Sequence, residues 1–218
     1  MNRRSLPVAA ALATAAALLL TACGGGGDSK SKDSDKIAGA DTGASKSASP
    51  SASASTAPGR PKIELPSDLS YTFQWPKTGD KDKDAVLSDG EQFIKATDLA
   101  LVNQNPLDKA YRFYSEGEVS VATQKYVQEY VDDKMRMTGK FRFYGADVRV
   151  AKDGTATFVY CEDQGKAFDI HIKSQKIEKT SVTKNSYILY NTALRKNELG
   201  VWVTTKMISL RGNSKCQP

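Results

Sequence analysis

The hydrophobic period of this chain changes once, at Gly139, and that change restricts the fold more than any other feature. Before Gly139, apolar residues recur at helical spacing. After it they alternate, as on a strand with one face in a core. The spacing predicts a first helix over Asp82–Gln104, with Val86, Phe93, Ile94, Thr97, Ala100 and Leu101 near one face. Gly90 weakens that helix locally, and Ser88-Asp89-Gly90-Glu91 offers a capping box from which it would start later. Asn105-Pro106 ends it, because proline disfavours helical geometry in the residue before it. A short helix follows over Leu107–Tyr114. A longer one, opened by the capping box Ser115-Glu116-Gly117-Glu118, runs to about Lys134 with a stripe of Val119, Ala122, Tyr126 and Tyr130, and Val127 beside it.

The second half reads as strands. Phe141–Ala151 and Thr155–Glu162 flank the hairpin signal Lys152-Asp153-Gly154. Phe158 and Tyr160 share one face of the second strand, and Val159 and Cys161 the other. Asp163-Gln164-Gly165 reads as another turn. Phe168, Ile170 and Ile172 then alternate with Asp169, His171 and Lys173. Ser186–Arg195 and Val201–Leu210 make a last hairpin around Asn197–Gly200. Helices first and strands after predict an α+β domain, its helices packed on one face of a curved antiparallel meander. No internal repeat is visible.

The 218 residues do not all belong to that domain. Gly24–Arg60 is mostly Gly, Ser, Ala, Lys and Asp, with Ile37 as its one large aliphatic side chain. Such a segment cannot bury enough apolar surface to offset its ordering entropy, so it is expected to be a disordered tether with a coil span of roughly 35 Å. That leaves roughly 150 residues for a core. Residues 61–81 form an extended arm in which Tyr71, Phe73 and Trp75 alternate, as a short strand or as an arm laid on the domain.

Residues 1–22 read as an export signal. Arg3 and Arg4 make it positive, and Val8–Leu20 is an apolar run of 13 residues, too short to span a bilayer of about 30 Å. Leu20-Thr21-Ala22-Cys23 resembles the lipobox of bacterial lipoproteins. The resemblance implies a diacylglycerol on the Cys23 sulfur, cleavage before Cys23, and a domain held at the extracytoplasmic face of the cell membrane. Two acyl chains anchor stably where one is marginal. Arg3-Arg4-Ser5-Leu6 loosely resembles a twin-arginine signal, and the export route stays open between that and the general one.

With Cys23 lipidated, Cys161 and Cys216 remain. An even pair outside the cytoplasm favours a disulfide over two free thiols. The two sulfurs and the single histidine, His171, fall short of a tetrahedral metal site, so no metal is expected. The net charge of +6 is spread without a basic block, which argues against nucleic acid as a partner.

The element order over Asp82–Cys216, with the stretches AYRFYSEGEVSVATQKYV (Ala110–Val127) and VRVAKDGTATFVYC (Val148–Cys161), resembles the nuclear transport factor 2-like (SnoaL-like) superfamily, and within it actinobacterial surface lipoproteins. The resemblance implies a cone-shaped α+β domain. It also implies a range of roles, among them isomerases, cyclases, dehydratases and non-catalytic binding modules, and frequent homodimerisation through the sheet. Paired catalytic histidines are ruled out by the single His171. An isomerase would need an aspartate base with tyrosine donors. Tyr114, Tyr126, Tyr130, Asp147 and Asp163 supply the residue types, but not the family's pattern position by position.

His171 shares a strand face with Asp169 and Lys173 that reads as solvated, although an imidazole–carboxylate contact is within reach. Asp132-Asp133 oppose the dipole at their helix end and read as solvated. No phosphate loop, HExxH, GxSxG, CxxC or EF-hand pattern is present. No catalytic residue and no cofactor is therefore assigned. Tyr114, Tyr126, Tyr130, Phe158 and Tyr160 are the candidates to line a cleft between helices and sheet. The expected function is a membrane-anchored module that binds an envelope protein, a second copy or a ligand. The alternative is an enzyme or carrier for a small apolar molecule.

Overall fold

The structure, a computed structural model, describes residues 58–218. The export signal, Cys23 and the tether up to residue 57 lie outside the described residues. The fold is α+β, with three α-helices and a six-stranded sheet among the described residues. Five strands run in spatial order β1-β2-β3-β5-β6: β1 (Leu69–Phe73), β2 (Met135–Val150), β3 (Thr155–His171), β5 (Tyr187–Lys196) and β6 (Trp202–Arg211). The two-residue strand β4 (Ile177–Glu178) pairs with the far end of β3.

The expected antiparallel meander is present in β2, β3, β5 and β6. The sheet as a whole is nevertheless mixed, because β1 adds to β2 in parallel, with Tyr71 opposite Phe141 and Phe73 opposite Phe143. A parallel partner needs a long crossover. Here the helical half of the chain is that crossover, and part of the segment read as an arm is a sheet edge.

The first helix, α1 (Lys81–Val102), starts earlier than its internal capping box would place it. Asp80 caps it, its carboxylate accepting from the Asp82 and Lys83 amides at 2.9 and 3.1 Å. Ser88–Glu91 is mid-helix, and its glycine has a packing role. A Cβ on Gly90 would lie 2.7 Å from the Phe158 ring, so the absence of a side chain lets α1 settle on the sheet. The short α2 (Lys109–Phe113) is capped by Asp108, which accepts from the Ala110 amide at 2.8 Å.

The third helix, α3 (Gly117–Asp133), does not use the expected serine cap. The Ser115 hydroxyl donates to the Tyr111 carbonyl at 2.9 Å, and the N-cap residue, Glu116, makes no side-chain cap bond. The buried row of α3 is Val119, Thr123 and Val127, so Ala122 is exposed and Tyr126 and Tyr130 lie to one side. An apolar count misplaces the stripe because a threonine occupies its centre.

Asp163-Gln164-Gly165 is a bulge and not a turn. Arg142 pairs with Asp163 and Lys140 with Lys166, so β3 carries one more residue than β2 across that interval. The Gly165 amide donates to Asp163 Oδ1 at 2.8 Å, which makes the local kink. The inserted residue inverts the facing of β3. Tyr160 and Glu162 before it, and Ala167 and Asp169 after it, all point to the helices. Opposite the bulge, Gly139 has φ +102°, and a Cβ there would lie 2.2 Å from the Lys166 carbonyl oxygen. The residue at which the sequence period changes is therefore the point where the sheet bends.

The core is a continuous run of rings. Tyr71 lies 5.4 Å from Phe141, Phe73 4.8 Å from Phe143, Trp75 5.4 Å from Phe158, and Tyr160 4.7 Å from Phe158 and 5.0 Å from Tyr190. These rings fill the space between α1 and the sheet. On the outer face a disulfide joins Cys161 to Cys216, with Cα atoms 5.4 Å apart. The Tyr144 hydroxyl donates to the Cys216 carbonyl, holding the C-terminal turn on the sheet.

Candidate functional site: a tyrosine and carboxylate network behind an open cleft

Two carboxylates, those of Asp98 and Glu162, are buried between the helices and the sheet. Asp98 projects from α1 and accepts from the Tyr71 hydroxyl at 2.5 Å. Burial raises its pKa to about 7, and the nearby Glu162 adds to the rise while the Tyr71 bond opposes it. Glu162 projects from β3 on the same face as Phe158 and Tyr160. Burial pushes its pKa up too, against hydrogen bonds from Tyr190 and Gln164, the latter at 3.1 Å. Burial also pushes the Tyr71, Tyr160 and Tyr190 hydroxyls up, with the carboxylates adding to the effect. Each of these groups is thus held in its neutral form more strongly than in water.

An open cleft of about 350 Å³ lies between the end of α3 and the segment that follows β3. One wall is the end of α3, where the rings of Tyr126 and Tyr130 meet edge to face with centroids 5.1 Å apart. Burial of the Tyr126 hydroxyl end, near Tyr130, Asp98 and Glu162, pushes its pKa well up, although over the whole residue Tyr126 is 38% exposed. The Tyr130 hydroxyl donates to Asp169 Oδ1 at 2.8 Å and lies 3.1 Å from Met137 Sδ. The floor is Met137, Ala167 and Phe168, and the opposite rim is the segment from Glu178 to Ser186 with Arg211 at the end of β6. A second, shallower depression of about 470 Å³ lies at the hairpin end of the sheet, around Val150, Ala156 and Leu194.

Of the five residues read as cleft-lining, the structure brings Tyr126 and Tyr130 to the open cleft. Tyr160 is buried behind it beside Tyr190. Phe158 packs beneath Gly90 and Trp75. Tyr114 is in a different place, its hydroxyl accepting from Arg60 Nη1 at 3.3 Å. Asp147 is exposed beside Arg149, and Asp163 pairs with Arg142 at 3.0 Å. His171 pairs with Glu178 at 2.8 Å and not with Asp169. The face read as solvated is solvated only in part, because the bulge turns Asp169 toward α3.

Asp98, Asp89, Glu162 and Arg211 escape the sequence reading. Glu162 had a signal, since it shares strand parity with Phe158 and Tyr160. Asp89 and Asp98 had none, because carboxylates are normally counted to the wet side of a helix. Asp89 is fully buried, gripped by Arg60 Nη1 at 2.5 Å and by the Trp202 amide at 2.8 Å. Arg60, read as the last residue of the tether, is thus docked into the domain.

No family model and no curated protein matches the chain. Among solved structures it is similar to the intermembrane space region of chloroplast protein ARC6, at 12% identity, over 61% of this chain and 98% of that one, with a TM-score of 0.40. The α+β architecture therefore stands on the chain's own topology. Among the described residues no helix is long and apolar enough to cross a membrane, and no group of three or more His, Cys, Asp or Glu side chains is placed to hold a metal ion.

Proposed function

We propose that this chain is an extracytoplasmic lipoprotein, anchored through a lipid on Cys23, whose domain of the nuclear transport factor 2-like type is a non-catalytic binding module. The observation that carries the non-catalytic part is the separation of the buried acids from the open cleft. Asp98 and Glu162 are engaged by Tyr71, Tyr190 and Gln164 inside a core filled by rings, and neither lines the cleft. A general acid or base has to reach the bond it serves. The Cys161–Cys216 disulfide supports an oxidising compartment. A second reading, an enzyme using Asp98, draws on a carboxyl that titrates at about 7, but it requires the ring cluster to open.

The lipid anchor is tested on the full chain expressed in a bacterial host. Wild type should enter the detergent phase and carry a diacylglyceryl mass on its first residue, and Cys23→Ser should stay in water. Equal partition into water by both would end the lipoprotein reading. Binding is tested in the same membranes with a photo-reactive residue in place of Ser181 on the cleft rim. A discrete adduct absent from a matched label at Lys152 is expected, and identical patterns from the two would refute a binding role for the cleft.

A further inference from the structure

Arg211 is the cation among the residues that line the cleft, which also holds the carboxylates of Asp169 and Glu178. Asp169 is taken by the Tyr130 hydroxyl at 2.8 Å, and Glu178 by His171 at 2.8 Å and Lys176 at 3.4 Å. Arg211, on the same rim, makes no ion pair among the described residues. It is nevertheless held in place. Its Nη1 donates to the Asn185 carbonyl at 2.8 Å and to Gln164 Oε1 at 3.1 Å, and the Gln164 amide is itself fixed by donating to Glu162 Oε1 at 3.1 Å. Two neutral acceptors thus orient the guanidinium without neutralising it. A fixed guanidinium fork suits a carboxylate or phosphate group.

The rest of the lining indicates what the anion is attached to. Thr180 and Ser181 place hydroxyls along one rim, and the hydroxyls of Thr183 and Ser186, which already accept from the Asn185 and Thr183 amides, keep their O–H donors. Across from them stands the Tyr126–Tyr130 ring pair, with Tyr126 partly open to solvent. Hydroxyls facing ring surface match a molecule with hydroxyl edges and C–H faces. The volume of about 350 Å³ is near the lower end of the roughly 300–1,000 Å³ usual for small-molecule sites, which suits a single sugar unit and not a long polymer.

We propose that this cleft is a binding site for an acidic, hydroxyl-rich small molecule, a sugar acid or sugar phosphate, with the Arg211 guanidinium taking the anionic group and the Tyr126–Tyr130 pair taking the ring. The proposal rests on the domain being a binding module. It differs from the small apolar ligand that the sequence left as an alternative, because the interior beside this cleft is filled by the chain's own rings and the lining of this cleft is rich in polar side chains.

The test is calorimetric titration of the full, lipidated chain in detergent micelles with glucuronate, glucose 6-phosphate, glucose and acetate. At least one of the two acidic sugars should bind about tenfold or more tighter than both glucose and acetate. The stronger of the two tells carboxylate from phosphate. Arg211→Met should remove the margin over glucose, and Tyr126→Ala should weaken the acidic sugar while leaving acetate unchanged. Both positions are exposed, and circular dichroism confirms that the variants are folded. The site is refuted if neither acidic sugar binds, if glucose binds as tightly, or if Arg211→Met keeps the margin. Mass spectrometry of the sugars after incubation separates the two ideas. A chemically altered sugar would overturn the non-catalytic reading and leave the site standing, whereas absent binding would remove the site alone.

Discussion

Replacing Arg60 with methionine would strand Asp89. That carboxylate is fully buried on α1 and has two partners, Arg60 Nη1 at 2.5 Å and the Trp202 amide at 2.8 Å. The variant leaves it with the amide alone. Removing one partner of a buried ion pair costs about 3–5 kcal/mol, because the remaining charge is neither solvated nor compensated. The lower end applies here. The Arg60 side chain keeps 14% of its exposure, and its Nε and Nη2 are buried without partners among the described residues, so the pair is already imperfect. A loss of about 3 kcal/mol in a domain of this size corresponds to a fall of roughly 6–12 °C in melting temperature. Thermal unfolding followed by circular dichroism measures it. The double variant Arg60→Met, Asp89→Leu should recover part of the loss, since two apolar groups of similar size replace the buried pair. A single variant melting within about 1 °C of wild type would refute the reasoning and show that water reaches Asp89 freely.

Asp98 makes stability depend on pH in an unusual direction. Its carboxyl titrates near 7 in the fold and near the ordinary 3.8 in the unfolded chain. Below about pH 4 both states are protonated and its contribution is intact. As pH rises toward 7 only the unfolded state ionises, and stability drains away. Wild type should therefore lose stability relative to Asp98→Asn over that window, read as urea midpoints at stepped pH, and a constant difference would contradict the buried, neutral acid. Reducing the Cys161–Cys216 bond, which spans a sequence separation of 55, should cost up to about 4 kcal/mol by loop entropy. An unchanged urea midpoint after reduction would show that the staple adds nothing to the fold.

Much of the fold was legible because local rules and tertiary packing agree over long stretches. The helices and hairpins lie within a few residues of where periodicity and turn chemistry place them. Lys152-Asp153-Gly154 and Asn197–Gly200 make the turns they suggest, the latter through Asn197 Oδ1, which accepts from the Leu199 and Val201 amides. The readings that changed involve residues whose local preference is overruled by a distant partner. Ser115 prefers a carbonyl in α2 to a helix cap. Asp163-Gln164-Gly165 forms a bulge because β2 continues alongside it. For Tyr71 and Phe73 the sequence left a short strand or a packed arm open, and the free edge of β2 decides for the strand.

The sequence alone determines the class of this domain, since a helical period followed by a strand period leaves few ways to bury both faces. Of its three cysteines, the structure joins Cys161 and Cys216 as a staple. The tertiary structure decides which polar groups go inside and which charge is left over. Asp89, Asp98 and Glu162 are interior only because Arg60, Tyr71 and Tyr190, all remote in sequence, arrive to satisfy them. Arg211 makes no ion pair among the described residues, and Gln164 and Asn185 hold it through neutral acceptors. Desolvation and hydrogen bonding depend on neighbours brought together by folding, and no local pattern in the chain encodes those neighbours.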